Sequence, residues 1–355
     1  MAGIGRGMAS RRIAVVLFNL GGPDSPEAVK PFLYNLFSDP AIIGLPAILR
    51  QLVARVIARR RAPIARDIYA KIGGRSPLLP NTEAQARALE ALLDDLGTVK
   101  AFPCMRYWHP LSGAVAAAVK TFAPDDIVLL PLYPQFSSTT TASSCREWHR
   151  AATAVGLVTR TRLVCCYPTA AGFIAAAAEL LGAAMNEAER AAGQRPRVLF
   201  SAHGLPQKIV DRGDPYPAHV EQSARAIADR LGLRQGEWTV CFQSRVGPLA
   251  WIGPSTDAEI ARAGADRVPV ALFPIAFVSE HSETLVELDI EYRHLAEKCG
   301  VPAYVRAPTV GTSGAFMAGL AELVRTTLTS PASVRSERGG RICAATAVCC
   351  LNPAA

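Results

Sequence analysis

The stretch "VLFSAHGLP", residues 198–206, ends an apolar run on an ionisable ring and then turns away. A short apolar run closed by glycine and proline is typical of a buried strand that stops at a turn. His203 is therefore predicted at the carboxyl end of a strand, where open α/β sheets bind their ligands. Taken alone, this position fits two interpretations: a hydrogen-bonded core or capping histidine, or a catalytic one.

Similar apolar runs recur along the chain, separated by segments of helical character. Continuous apolar strands that alternate with helices indicate parallel sheets covered on both faces, so the predicted fold class is α/β. Eight strands in two sets of four predict two doubly wound domains, 12–180 and 195–330, each with a four-stranded parallel sheet, followed by a cysteine-containing tail at 331–355. The predicted strands are 12–19, 99–106, 127–133, 160–166, 197–203, 238–244, 268–277 and 302–307.

Composition limits the class of protein. The 355 residues carry a formal net charge of +8, which favours an anionic partner. The chain shows no nucleic-acid-binding signature, so we expect no nucleic acid among its partners. No apolar run reaches the roughly 18 residues of a membrane span. The amino terminus passes into a strand without a signal peptide, which predicts a cytoplasmic protein whose nine cysteines bind metal or lie buried.

Polar and aromatic side chains cluster where the predicted strands end. Because the carboxyl ends of parallel strands meet at one edge of a sheet, these side chains predict a cleft between the two domains. The first turn, residues 19–24, reads Asn-Leu-Gly-Gly-Pro-Asp and lacks the glycine pattern of dinucleotide sites, so we expect no nucleotide cofactor. The strand-end residues are Asn19, Arg106, Tyr107, Tyr133, Gln135, His203, Gln243, Ser244, Arg245, Ser279, Glu280 and His281.

A row of carboxylates follows the strand at 268–277. Glu283, Glu287 and Glu291 recur every four residues, which places them on one face of a predicted helix, with His281 at its start. The row fits either a solvated helix face or a path for protons or a divalent cation. Imidazole and carboxylate together suit ferrous iron, whereas the spacing of a zinc site is absent from the sequence.

A second amphipathic segment lies at residues 40–61. Its apolar residues have helical spacing, and the segment ends in Arg59, Arg60 and Arg61. It fits either a packed helix with a solvated end or a lip that touches a membrane and presents cations to an anionic ligand. The apolar stripe comprises Ile48, Leu49, Leu52, Val53, Val56 and Ile57.

Seven stretches, in unbroken order between about residues 12 and 328, resemble ferrochelatases, which insert ferrous iron into a porphyrin to make haem. The resemblance implies two Rossmann-like domains with a porphyrin cleft between them. Porphyrin and Fe²⁺ are then the substrates, and the protein is cytoplasmic, a monomer or homodimer, and peripheral to the inner membrane. The stretches are NLGGPDSPEAVKPFLYNLFSD, IYAKIGGRSPL, MRYWHPL, PLYPQFSSTTTASS, FSAHGLPQKIVDRGDPYP, FQSRVGPLAWIGPSTD and PIAFVSEHSETLVELDIEY.

The resemblance also implies roles for residues in the second domain. His203 matches the family's active-site histidine and Glu283 the carboxylate paired with it, and both are candidate metal contacts. His281 and Glu287 match the neighbouring conduit. A histidine in an apolar cleft can take a pyrrole proton, and a carboxylate row can pass it to solvent.

Further matches concern the porphyrin itself. Arg106 and Tyr107 match a polar pair on the opposite wall of the cleft, and Trp251 matches a cleft aromatic residue. Arg60 and Arg61 match basic lip residues associated with the porphyrin propionates.

The tail carries Cys343, Cys349 and Cys350 and resembles the C-terminal [2Fe–2S] motif of some ferrochelatases. A cluster needs four thiolate ligands, and Cys145 resembles the internal ligand of some bacterial members. Cys165 and Cys166 are predicted to be core residues. The alternative interpretation of the tail is a frayed end with incidental thiols.

Three alternatives stay open for the function of the whole chain. One is a ferrochelatase for coproporphyrin, and another is a metal chelatase for a different tetrapyrrole. The third is a non-catalytic binding protein for haem or siderophores, which would share the cleft but would not explain the row of glutamates.

Overall fold

A computed structural model describes residues 11–245 and 249–352, which form two compact units. The first unit comprises the described residues up to Tyr167 together with Met317–Ile342, and the chain returns to it again at Leu351. The second comprises Pro168–Phe316 and Cys343–Cys350. Residues 353–355 of the predicted tail lie outside the described part.

Nine strands are assigned within the described residues. They are β1 (Arg12–Asn19), β2 (Thr98–Met105), β3 (Asp126–Pro131), β4 (Thr161–Cys166), β5 (Arg197–His203), β6 (Trp238–Gln243), β7 (Val270–Pro274), β8 (Tyr304–Arg306) and β9 (Val334–Ser336).

Helices alternate with these strands, as the sequence predicts. They are α1 (Val29–Phe37), α2 (Ala47–Ala70), α3 (Leu78–Leu92), a 3₁₀ turn (Asp94–Leu96), α4 (Ser112–Phe122), α5 (Thr141–Ala154), α6 (Ala171–Ala192), α7 (Gln207–Val210), α8 (Tyr216–Arg230), α9 (Thr256–Ala265), a π-helix (Glu283–Glu291), α10 (Tyr292–Cys299) and α11 (Gly314–Thr329).

The first unit contains a parallel sheet in the order β2-β1-β3-β4-β9. Its interior strand β1 is buried from Ile13 to Asn19, as expected of a strand covered on both faces. The prediction of four strands is wrong for this sheet, because Val334–Ser336 from the tail pairs with β4 as a fifth strand. Three residues with an arginine in the middle carry no strand signal, so their pairing was not predictable from sequence.

The second unit contains the predicted four-stranded parallel sheet, in the order β6-β5-β7-β8. The chain runs from β5 to β6 on one side, and β7 then pairs with β5 on the other side. The sheet therefore has a topological switch point beside β5, and His203 is the last residue of that strand.

The division between the units differs from the predicted join near 180–195. That stretch is mostly the end of α6 and not a linker. Phe173, Ala177 and Leu181 of α6 are fully or almost fully buried, and the helix packs on α8 and β7 of the second unit. The structure instead divides the chain after Tyr167, and the segment from Met317 belongs to the first unit again.

Candidate active site

His203 and Glu283 form the centre of the candidate site in the second unit. His203 ends β5, and Glu283 begins the π-helix that follows the neighbouring strand β7. The ends of adjacent parallel strands lie side by side, and the two side chains meet there, with 2.8 Å between His203 Nδ1 and Glu283 Oε2. The imidazole side chain is 43% exposed. The pair thus combines a fixed hydrogen bond with an accessible ring.

Ser244, directly after β6, connects this pair to the next carboxylate. Its hydroxyl lies 2.9 Å from Glu283 Oε2 and also contacts Glu287 Oε2, and its backbone N–H donates to Glu287 Oε1 at 2.8 Å. Its φ of +60° is in the left-handed region, which a serine adopts at a cost. This backbone conformation places Ser244 between the two carboxylates. Its single hydroxyl hydrogen can donate to only one of them at a time.

The helix that carries the carboxylates is a π-helix, whereas the sequence predicted an ordinary α-helix. At its end the Tyr292 N–H donates to the Glu287 carbonyl, five residues back. Single π turns are common at functional sites. Glu283 and Glu287 still lie on one side, because both reach Ser244. Glu291, the third member of the row, is exposed.

His281 lies beside Glu283 but is buried. Its Nε2 is 3.8 Å from Glu283 Oε1, and the rings of His281 and Phe277 have centroids 4.4 Å apart. Burial lowers the pKa of His281 more than the nearby carboxylates raise it. A neutral His281 therefore stands next to the His203–Glu283 pair.

The protonation states of the site differ from those of free side chains. Burial opposes the charge on both His203 and Glu283, but their mutual attraction outweighs it, so the pKa of His203 is raised and that of Glu283 is lowered. Burial and the Glu283 charge raise the pKa of Glu287 to about 7. Near neutral pH, Glu287 can therefore both take and release a proton.

Gly204 and Trp251 shape the turn after His203. A Cβ atom on Gly204 would lie 2.9 Å from the carbonyl oxygen of Gln243 and 3.4 Å from the Trp251 ring, so the turn requires glycine. Trp251 also forms a backbone bridge with Pro206. The predicted cleft aromatic thus packs against the turn that carries the histidine.

The sequence predicts Gln243 and Ser244 only as polar residues at a strand end, and the structure gives them definite contacts. The Gln243 amide oxygen accepts a hydrogen bond from Ser201 at 2.7 Å, which turns its NH₂ group towards Glu283 at 3.5 Å. Gln243 ends β6 and Ser244 follows it, and β6 pairs with β5, the strand that ends at His203. This position is the sequence signal that could have placed both residues in the site.

Arg106 and Tyr107 form a separate polar cluster in the first unit. Arg106 Nη2 and the Tyr107 hydroxyl each lie 2.8 Å from Asp39 Oδ2, and Ser143 donates to the same oxygen. Burial opposes the charge on Asp39, but Arg106 and the hydrogen bonds outweigh it and lower the pKa of the carboxyl. Sequence reasoning missed Asp39, which follows a helix and not a strand. Tyr107 is almost fully buried, so its role here includes support of Asp39.

Helix α2 in the first unit contains the predicted lip. Its buried face is made of Ala54, Ala58, Ala62 and Tyr69, and the last three belong to a core cluster with α1. The predicted apolar stripe is largely exposed instead, with Ile48 at 77%. The remaining members above half exposure are Leu49, Leu52 and Val56, and Ile64 further along the helix reaches 63%.

The basic stretch predicted to end the segment lies in the middle of α2, which continues to Ala70, and it points to solvent as well. Arg59, Arg60 and Arg61 are exposed, and the Arg61 guanidinium lies 5.7 Å from the centre of the Phe37 ring. Within the described part of the chain, no helix is both long and apolar enough to cross a membrane. The helix therefore packs through its alanine-rich face, whereas most of the predicted apolar stripe is exposed.

The cysteines of the tail lie in the second unit. The segment Cys343–Cys350 packs on the loop at Gly213, where the carbonyl oxygen of Thr346 would be 2.5 Å from an added Cβ. Cys343 Sγ is 3.5 Å from His219 Nε2, and Cys349 Sγ is 3.5 Å from the Gly213 carbonyl oxygen. The tail is thus packed against the protein and is not a frayed end.

Cys145 is on α5 in the first unit. Burial, together with the neighbouring Cys165, raises the pKa of its thiol to about 12. Cys165 and Cys166 are buried on β4, as predicted. The tail strand β9 pairs with β4 there, with Ser336 opposite Cys166, and the Glu337 N–H donates to the Cys166 carbonyl.

Comparisons with known proteins agree on one family. The ferrochelatase family model matches residues 12–328. A ferrochelatase of Phenylobacterium zucineum (strain HLK1) is 56% identical over 314 residues, covering 88% of this chain and 90% of the relative. A ferrochelatase of Caulobacter vibrioides (strain NA1000 / CB15N) is 53% identical over 336 residues, covering 94% and 95%.

Among solved structures, the sirohydrochlorin chelatase SirB from Bacillus subtilis subspecies spizizenii, in complex with cobalt, is similar in fold. Its TM-score is 0.51 at 11% identity, covering 90% of this chain and 97% of that one. At this identity the likeness concerns the fold alone.

Proposed function

The chain belongs to the ferrochelatase family, enzymes that insert iron into porphyrin, and we propose that it makes protohaem from ferrous iron and protoporphyrin IX at His203 and Glu283. The observation that carries this assignment of the site is the 2.8 Å contact between the two side chains at the switch point of the second sheet.

The chemistry requires that two pyrrole N–H protons leave as the metal enters. With its Nδ1–H donated to Glu283, a neutral His203 keeps the lone pair of Nε2 on its accessible edge. That atom can take a proton or contact the iron, and the raised pKa makes it the stronger base. Glu283 then stabilises the imidazolium that forms, and Ser244 links it to Glu287.

The exposed apolar face of α2 supports protoporphyrin, the less polar candidate, as the substrate. The test is anaerobic turnover of purified protein with ferrous iron and either protoporphyrin or coproporphyrin, followed by absorbance. We expect many turnovers per chain with protoporphyrin and a lower rate with coproporphyrin. A higher rate with coproporphyrin would reassign the substrate, and stoichiometric binding without turnover would favour a haem-binding protein.

We also propose that the protein binds the inner membrane from the cytoplasm through α2. The helix presents exposed Ile48, Leu49 and Leu52 beside a strongly basic surface, since it contains six arginines against one aspartate. Apolar side chains next to arginines suit the interface of an anionic bilayer. Arg60 and Arg61 remain our candidates for the porphyrin propionates on the same helix.

Membrane binding should depend on charge. Each basic residue near an anionic surface contributes about 1 kcal/mol, so changing Arg59, Arg60 and Arg61 to Gln should weaken binding to anionic vesicles, as should high salt. Sedimentation with phosphatidylglycerol vesicles measures this, and a matched control changes three exposed arginines of the second unit, Arg225, Arg230 and Arg234, to Gln. Binding insensitive to salt and to the α2 variant contradicts the proposal.

For the tail we propose a [2Fe–2S] cluster held by Cys343, Cys349 and Cys350, with Cys145 as the fourth ligand predicted from sequence. The thiols fit such a group, because Cys343 is buried and the segment is packed on Gly213. When bound, a cluster supplies a one-electron redox centre.

The iron and labile sulfide contents of the protein test the proposed cluster. Protein purified anaerobically from iron-replete cells should be reddish and contain about two irons and two labile sulfides per chain. Cys343→Ser should lose both the iron and the labile sulfide, and so should Cys145→Ser, which removes the proposed fourth ligand. Cys299→Ser is the control, because this cysteine ends α10. Wild-type protein without labile sulfide contradicts the cluster.

A further inference from the structure

The hydrogen bonds of Glu287 lead away from the row of glutamates. Besides Ser244, the partner of this carboxylate among the described residues is Tyr292, whose hydroxyl lies 3.2 Å from Glu287 Oε1. The same hydroxyl lies 3.4 Å from Asp257 Oδ2. A single O–H therefore stands between two carboxylates that belong to different elements, the π-helix and α9.

The surroundings of Tyr292 make this hydroxyl unusual. Tyr292 is only 5% exposed, and its ring packs in the apolar cluster between β7 and helices α9 and α10. Asp257, by contrast, is exposed in the first turn of α9. A phenylalanine would fill the same core space, so packing alone does not require the hydroxyl. The contacts form a continuous path from the half-buried Glu287 to a carboxylate in water.

We propose that protons taken from the porphyrin leave the site through Glu287, Tyr292 and Asp257, and not along the helix to Glu291. Protonated Glu287 gives its proton to the Tyr292 oxygen as the Tyr292 hydroxyl proton passes to the Asp257 carboxylate. One O–H bond breaks and one forms at each step, and Asp257 then releases its proton to water. Tyr292 acts as a proton relay and does not touch the substrate. This inference rests on the proposed iron insertion.

Glu283 and Ser244 connect this path to His203, the proposed acceptor of the pyrrole proton. Glu283 receives hydrogen bonds from His203 and Ser244, and Ser244 in turn contacts Glu287. Once His203 is protonated at Nε2, it can pass its Nδ1 proton to Glu283. Glu283 then gives that proton to the Ser244 oxygen as the Ser244 hydroxyl proton passes to Glu287. Networks of this kind place a donor and an acceptor at each step within hydrogen-bond distance.

The chain offers a matched control for the loss of a buried hydroxyl. Tyr304 lies in the same apolar cluster, and its hydroxyl donates to the Leu288 carbonyl of the π-helix at 2.9 Å. Tyr304→Phe removes a hydroxyl next to the same helix but off the proposed path. Tyr292→Phe removes the relay, and Asp257→Asn removes the acceptor at the surface without disturbing the core.

The experiment is single-turnover iron insertion by the full-length protein with protoporphyrin, measured by anaerobic stopped flow in H₂O and D₂O. We expect Tyr292→Phe and Asp257→Asn to slow iron insertion by up to about 100-fold, because a positioned proton-transfer group contributes at least about that factor to a rate. Both variants should also increase the solvent isotope effect on the insertion rate. Porphyrin affinity should not change, and Tyr304→Phe should match the wild type in rate and isotope effect.

Two results would overturn the relay. One is wild-type insertion in both Tyr292→Phe and Asp257→Asn, and the other is an equal loss in Tyr292→Phe and Tyr304→Phe, which would assign the effect to packing. Thermal unfolding of each variant separates a folding defect from a slow step, and Asp257→Asn tests the path even where a core variant unfolds. A wild-type protein that inserts no iron would instead contradict the proposed function.

Discussion

Replacement of His203 by alanine abolishes iron insertion in our account and leaves the fold intact. The residue ends β5, and the strand is held by the buried side chains that precede it, such as Leu199 and Phe200. The side chain itself is 43% exposed, so its removal leaves no large cavity in the core. Loss of a positioned proton acceptor should reduce the rate by about 10²- to 10⁴-fold.

An anaerobic insertion assay measures this loss, and circular dichroism reports whether the fold persists. The matched control is His294→Ala, because His294 also faces a glutamate, Glu297, at 3.4 Å but lies exposed on α10. We expect the control to insert iron like the wild type. Near-normal turnover in His203→Ala would remove His203 from the mechanism.

Glu283→Gln should be severely impaired, and Glu287→Gln less so. The amide keeps the shape of Glu283 but carries no charge, so it no longer stabilises protonated His203, and the pKa of His203 falls. Glu287 is one hydrogen-bonded step further from the histidine, through Ser244. Glu287→Gln therefore removes a proton acceptor further from His203 and leaves Glu283, the hydrogen-bond partner of His203, in place.

The same insertion assay compares the two variants, and Glu297→Gln serves as the control for loss of an exposed glutamate. Porphyrin binding, followed by fluorescence quenching, should be equal in all three proteins. If Glu283→Gln and Glu287→Gln are tolerated equally well, the row of glutamates is a solvated helix face and has no part in proton removal.

Most of the fold was predictable because the buried strands are nearly continuous apolar runs. All eight predicted strands exist, and β1 and β5 have the predicted bounds, 12–19 and 197–203. The division between the domains was harder to predict from the sequence. The polar, alanine-rich end of α6 has the composition of a linker, but the helix continues through it. The fifth strand of the first sheet was missed because β9 is held by pairing with β4 and has no apolar pattern.

The candidate site was predictable in part. His203 ends one strand and Glu283 follows the adjacent parallel strand. Because the carboxyl ends of adjacent parallel strands lie side by side, the sequence predicts that the two residues can meet. The π-helix could not be predicted, since its wider turn changes backbone hydrogen bonds and leaves the four-residue spacing of the glutamates unchanged. Asp39 was not predictable either, because its partners Arg106 and Ser143 are 67 and 104 residues away in sequence.

The central claim is that proton removal starts at His203 and Glu283 and proceeds outward. The most direct test is the rank order of single-turnover insertion rates at saturating protoporphyrin in the wild type, Glu287→Gln, Glu283→Gln and His203→Ala. Our account predicts that the rate falls in that order while porphyrin affinity stays constant. A His203→Ala rate equal to the wild type, or a Glu287→Gln rate below that of Glu283→Gln, contradicts it.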